Sequence, residues 1–112
     1  MVNAENTITI TPERFIKINA SKMIASSLIT RLEASSNYTC FYLSDNSKIV
    51  TSKVMKSYEE NLLDIGFVRI HRSHLINTQF IAMINKNSIL MKDGTKTEIS
   101  RRQKNNFFKN YN

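Results

Sequence analysis

The residues most able to do chemistry in this chain stand close together. His71 and His74 flank Arg72 and Ser73 within FVRIHRSHLIN (67–77), with Arg69 just upstream. Two imidazoles could share a metal ion or pass a proton. In a strand, residues three apart point to opposite faces and cannot hold one ion, whereas in a helix they can. No cysteine or carboxylate stands beside them to complete a ligand set. The apolar pattern also changes here. Val68 and Ile70 share a strand face, but Leu75 and Ile76 are adjacent, so the strand is expected to end near His71 and Ser73 to open a short helical turn. In that setting at least one of the two histidines is expected to serve structure, hydrogen-bonding the loop. No Ser/His/Asp order, paired-carboxylate motif or phosphate-binding P-loop is visible, and two glycines leave little for Gly-rich loops. An enzyme is not expected, nor a bound metal or cofactor; a zinc enzyme using His71 and His74 is the weakest of the alternatives.

Arg72 invites a different chemistry. A guanidinium at a strand-to-turn junction can bind phosphate or fork onto guanine O6 and N7, although it can equally be solvated or ion-paired. A second Ser-Arg pair, SRRQK (100–104), follows another strand. The charge distribution joins the two. Residues 1–65 balance seven Lys/Arg against seven Asp/Glu, while residues 66–112 hold nine against only Asp93 and Glu98, the whole of the +7 excess. With a pI near 9.8, that asymmetry points to a polyanionic partner, nucleic acid or an anionic membrane surface, with plain solubility as the alternative. In SSNY (35–38), Asn37 could reach a base edge and the serines a phosphate, or the four could form an ordinary polar turn. Cys40, alternating with Tyr42, reads as a small core or semi-buried residue.

The elements that must position these groups are mostly strands. RFIKIN (14–19), LITRLEA (28–34), YTCFYLS (38–44), KIVTS (48–52), FVRIH (67–71), FIAMIN (80–85), SILMK (88–92) and TKTEI (95–99) are short, rich in β-branched or aromatic residues, and largely alternating. SDNS (44–47) and KDGT, where Gly94 suits a two-residue turn, read as hairpin turns. The class expected is mainly β: elongated antiparallel sheets of about eight to ten short strands with two or three short helices. One helix of about ten residues is expected after Ser52 as N-cap, with Gly66 as its stop. Another is expected after Ser100, with Phe107, Phe108 and Tyr111 packing while Arg101, Arg102 and Lys104 face water. Cations in its first turn oppose the helix dipole, as suits arginines awaiting an anion. Residues 19–27 are ambiguous between helix and loop. Residues 1–7 are expected to be loose and 8–112 to form one domain. A lone cysteine, no apolar run of membrane-spanning length and no signal peptide suggest a cytoplasmic protein with no membrane contact.

FVRIHRSHLINTQFIAMI followed by LMKDGTKTEISRRQKNNF resembles the LytTR family of bacterial DNA-binding domains, with its F-x-R-x-H-R-S segment, a following apolar-Asn pair ending at Asn77, and a strand-Asp-Gly-strand hairpin leading to Ser-Arg-Arg. ITRLEASSNYTCFYL and the EENL helix extend the resemblance over about residues 12–110. It implies an elongated antiparallel fold that inserts loops into successive major grooves at direct repeats in double-stranded DNA. Carried over by position, base contacts would come from Asn37 or Tyr38, Arg72 and Arg102. Phosphate contacts would come from Lys53, Ser73, Arg101 and Lys104, with His71, Asn77 and Gly94 structural. The sequence departs from the family in having His74 where an aromatic is usual and no glycine in SSNY. The resemblance further implies the output module of a two-component response regulator, with an N-terminal receiver domain outside this chain, or else a stand-alone member, and a second copy on the DNA. The alternative is a β-rich RNA-binding or protein-interaction module with Tyr38, Phe41 or Tyr42 as stacking platforms.

Overall fold

The computed structural model describes residues 13–111. The expected loose stretch 1–7 and the Tyr111 side chain lie outside the described residues. Among the described residues there are ten strands and two α-helices: β1 (Phe15–Asn19), β2 (Lys22–Ala25), β3 (Ile29–Ser35), β4 (Tyr38–Leu43), β5 (Lys48–Thr51), α1 (Lys56–Leu62), β6 (Phe67–His71), β7 (His74–Asn77), β8 (Ile81–Ile84), β9 (Ser88–Met91), β10 (Lys96–Glu98) and α2 (Arg101–Tyr111). They form a two-stranded sheet β1-β2, a three-stranded sheet β10-β9-β8 and a five-stranded sheet β5-β4-β3-β7-β6, with every pairing antiparallel. The molecule measures 50 × 38 × 25 Å, so the mainly β, elongated class holds.

The five-stranded sheet is the middle layer, and strand alternation sends its residues into two cores. On one face Leu32, Phe41, Phe67 and Leu75 meet Ile16 and Ile18 of β1 and Tyr58 and Leu62 of α1. Phe41 and Tyr58 pack edge to face at 4.8 Å between centroids, and the Tyr58 hydroxyl donates to Thr51 Oγ1 at 2.9 Å. On the other face Ile70 and Ile76 meet Ile89, Met91, Ile99 and Phe107, which brings in the three-stranded sheet and α2. Arg14 fastens the β1-β2 sheet to the end of α1 through a two-pronged bridge to Asp64, 2.8 Å on each arm. That cation holds the Asp64 carboxyl below its usual range.

Several expectations are corrected. Ser73 does not open a helical turn: residues 74–77 are β7, and the helical turn follows at 78–80. Leu75 and Ile76 are both buried because β7 lies inside the sheet and packs on both faces, which single-face alternation does not anticipate. The ambiguous 19–27 holds β2 and a 3-10 turn at 26–28. Ser52 is not the cap of α1, whose first residue follows Met55 with no side-chain cap. Gly66 does end that segment, in the left-handed region at φ 101°.

The KDGT hairpin has a three-residue loop rather than two. The Gly94 amide donates to Met91 O and the Met91 amide to Thr95 O, with Gly94 at φ +91°. The β4–β5 turn repeats the design: Asn46 donates to Leu43 O, Leu43 to Ser47 O, and Asn46 takes the left-handed position at φ 72°. In each, an aspartate braces the loop. Hydrogen bonds from Ser47 lower the Asp45 carboxyl, and one from the Thr95 amide lowers Asp93. A Cβ on Gly94 would meet no atom within 4 Å, so the whole penalty of Gly94→Ala is backbone strain. It should cost about 1–2 kcal/mol in chemical denaturation, and Gly94→Asn less; an alanine variant as stable as the parent would contradict the loop geometry.

Candidate nucleic-acid interface

The β3–β4 hairpin closes at Ser35–Tyr38 and the β6–β7 hairpin at His71–His74. Because β3 pairs with β7 in the register Glu33↔His74, the two turns emerge side by side at one end of the sheet. The Ala34 amide donates to Ser73 O at 2.9 Å and locks them together. Lys53 joins the same end: β5 finishes beside the start of β4, and Thr39 Oγ1 donates to Lys53 O at 2.6 Å. The start of α2 is brought in by the Ser100 amide, which donates to Ile70 O at 2.8 Å. Ser100 caps that helix, its Oγ accepting from the Gln103 amide at 3.2 Å.

The turn carrying Asn37 has Ser36 at φ 53°. One positive φ at the first turn position is the pattern of a type II′ turn, usually a glycine position, and here a serine takes the strain. Asn37 and Tyr38 are exposed, Tyr38 to 54%. In the neighbouring turn Ser73 is occupied internally: its amide donates to His71 Nδ1 at 3.1 Å and its Oγ lies 2.9 Å from the same nitrogen. Since Nδ1 accepts, the proton of the neutral His71 ring sits on Nε2. Arg72 and Arg102 are exposed and line one groove with Arg69, Ser100, Gln103 and Asn106, of about 970 Å³. Arg101 is exposed beside them, whereas Lys104 reaches back to Asn87 Oδ1 on the β8–β9 turn. Asn77 lies away from this end. Buried, it donates to Ile29 O at 2.9 Å and accepts from the Gln79 amide.

The six arginines divide cleanly. Arg14, Arg31 and Arg69 are bridged to Asp64, Glu33 and Glu59; among the described residues, Arg72, Arg101 and Arg102 have no carboxylate partner. Arg31 is buried, its guanidinium 3.7 Å from the Tyr42 ring centroid. That contact half-covers Tyr42, and Phe41 is fully buried, so the stacking platforms considered from sequence reduce to Tyr38. Sequence marks Arg69 only as a cation and as the first arginine of F-x-R-x-H-R-S, with no role of its own. Its guanidinium grips the carbonyls of His71 and Arg72 and the Glu59 carboxylate. Its alternation with Val68 and Ile70, opposite in parity to both, was the available sign that it faces α1.

His71 and His74 do not oppose each other across a strand. They are partners across the hairpin, rings 5.3 Å apart. Among the described residues no three His, Cys, Asp or Glu gather as a metal site, and no helix is long and apolar enough to cross a membrane. Burial lowers the pKa of His74, with Glu33 and Glu98 opposing and His71 and Arg31 adding. The unfolded ring takes a proton near the ordinary value of about 6.5 and the folded ring only at lower pH. Acid therefore favours the unfolded state across that interval, and stability falls as pH drops below about 6.5, levelling once the folded ring also protonates. His74→Phe should flatten this part of the profile in urea midpoints measured between about pH 7 and 5. Parallel profiles for variant and parent would remove His74 as a cause.

The family profile described as the LytTr DNA-binding domain matches residues 10–112. No curated protein matches the chain. Among solved structures it is similar to the LytTr DNA-binding domain assigned to a methyl-accepting/DNA response regulator of Bacillus cereus. That match has a TM-score of 0.70 at 21% identity, over 87% of this chain and 94% of the other. With the family profile covering nearly all of it, the chain belongs to the LytTR family of DNA-binding domains.

Proposed function

We propose that this domain is the output module of a bacterial transcriptional regulator that reads direct repeats in double-stranded DNA, one copy per repeat, through the turns at one end of its central sheet. The observation that carries this reading is the division of the arginines: the three without carboxylate partners among the described residues belong to the β6–β7 turn and the start of α2, at the end that also presents Asn37 and Lys53. Unpaired guanidiniums on fixed turns suit the forked recognition of guanine edges and phosphates. Arg72 and Arg102 are assigned to bases together with Asn37 or Tyr38, and Lys53, Arg101 and Lys104 to phosphates. Ser73 is assigned to phosphate by its position, its hydroxyl exchanging His71 for a phosphate oxygen. His71, Asn77 and Gly94 hold the frame. The similarity to a response-regulator domain supports an upstream receiver domain as the source of control.

Selection of duplexes from a random pool should return a tandem repeat of a short motif. On that duplex Arg72→Ala and Arg102→Ala should each cost about 1–3 kcal/mol, and clearly less on random DNA; equal losses on both would reduce them to phosphate contacts. Affinity should also fall steeply with salt, with a log–log slope of about −3 or steeper per copy, and Arg101→Ala should make the slope shallower by about 1. Binding insensitive to salt would contradict the electrostatic assignment.

A further inference from the structure

Arg69 is poorly placed to touch a duplex. Its side chain is 25% exposed, it lies on the α1 face of the sheet opposite buried Leu75, and its charge is already met by Glu59, itself 18% exposed. Its donors are instead spent on the backbone of the neighbouring turn. Nε donates to His71 O at 2.8 Å and Nη2 to Arg72 O at 2.5 Å. Those two carbonyls belong to the peptide units immediately before and after the Arg72 Cα. One planar guanidinium therefore pins both peptide planes that set the direction of the Arg72 side chain. Nη1 is anchored to Glu59 of α1, whose neighbours Tyr58 and Leu62 are in the core.

We propose that Arg69, held by Glu59, is a positioning residue that presets the backbone of Arg72 for base contact. The inference rests on the assignment of Arg72 to a base. Fixing the turn before binding removes an ordering cost that would otherwise be met on the DNA, and it restricts the angles at which the Arg72 fork can meet a base pair. Lysine cannot replace Arg69: a single ammonium keeps the charge but lacks the fork that reaches two carbonyls and a carboxylate together.

The test is a double-mutant cycle with Arg69→Lys and Arg72→Ala, measured on the selected duplex and on random duplex below the thermal transition of every variant. Arg69→Lys should weaken the selected duplex about tenfold or more and random DNA by no more than about twofold, the split expected when base readout rather than folding is lost. In the Arg72→Ala background it should add almost nothing, since both changes remove one contact. Glu59→Gln, which keeps an acceptor but removes the charge, should give the same split with a smaller loss, and it carries the test if the lysine variant does not fold. Equal losses on both duplexes, or losses that add fully to Arg72→Ala, overturn the proposal. If Arg72→Ala itself fails to discriminate the duplexes, the base assignment falls and this inference with it; if only Arg69→Lys and Glu59→Gln fail to discriminate, the assignment stands alone.

Discussion

The antiparallel pairing of β3 with β7 joins the two hairpins of the central sheet into one surface. Without it there are two separate hairpins; with it, turns 36 positions apart in the chain become neighbours, tied by the Ala34 amide to Ser73 O. The same pairing buries β7 in the middle of the sheet, so that Leu75 completes one core and Ile76 the other. Strand register is what makes the arrangement specific. A slip of β3 by one residue would turn Leu32 out of the first core and move Arg31 and Glu33 toward it, exchanging apolar burial for desolvation of charge.

Charge is organised along the same axis. At one end of the sheet stand Lys53, Arg72, Arg101 and Arg102 on turns and a helix start. At the other stand the two three-residue hairpin loops braced by Asp45 and Asp93. Of the carboxylates near the basic end, Glu33 and Glu59 are bridged to Arg31 and Arg69, which leaves Glu98, close enough to act on His74, against the outer cations. A polyanion approaching this molecule meets a field with a direction, and the middle layer of the fold gives it that direction.

Much of this was legible in local chemistry. Eight strands were readable because their alternation is clean and their ends are marked, as by Asn46 and Gly94, which take the left-handed backbone positions in their loops. The two strands missed have clear reasons. β7 has no alternation to read because both its faces are covered, and β2 lies in the polar-rich stretch NASKMIASS, whose only inward apolar anchor is Ile24. The cap of α1 was misplaced because Ser52 has the right side chain, yet the chain runs on through Lys53 at the basic end before the helix begins. For the interface, types and spacing single out Arg72 and the Ser-Arg-Arg run; the role of Arg69 depends on which carbonyls a tertiary fold places within its reach, and no spacing rule encodes that.

The sheet end bearing the 35–38, 71–74 and 100–104 segments is proposed to be the one that meets DNA. Backbone amide chemical-shift mapping during titration with a selected duplex tests it directly, since it needs no substitution. The largest changes should cluster at those three segments and around Lys53, leaving the loops at 44–47 and 92–95 nearly unmoved. Changes centred on those opposite loops, or spread evenly over the molecule, would contradict the account.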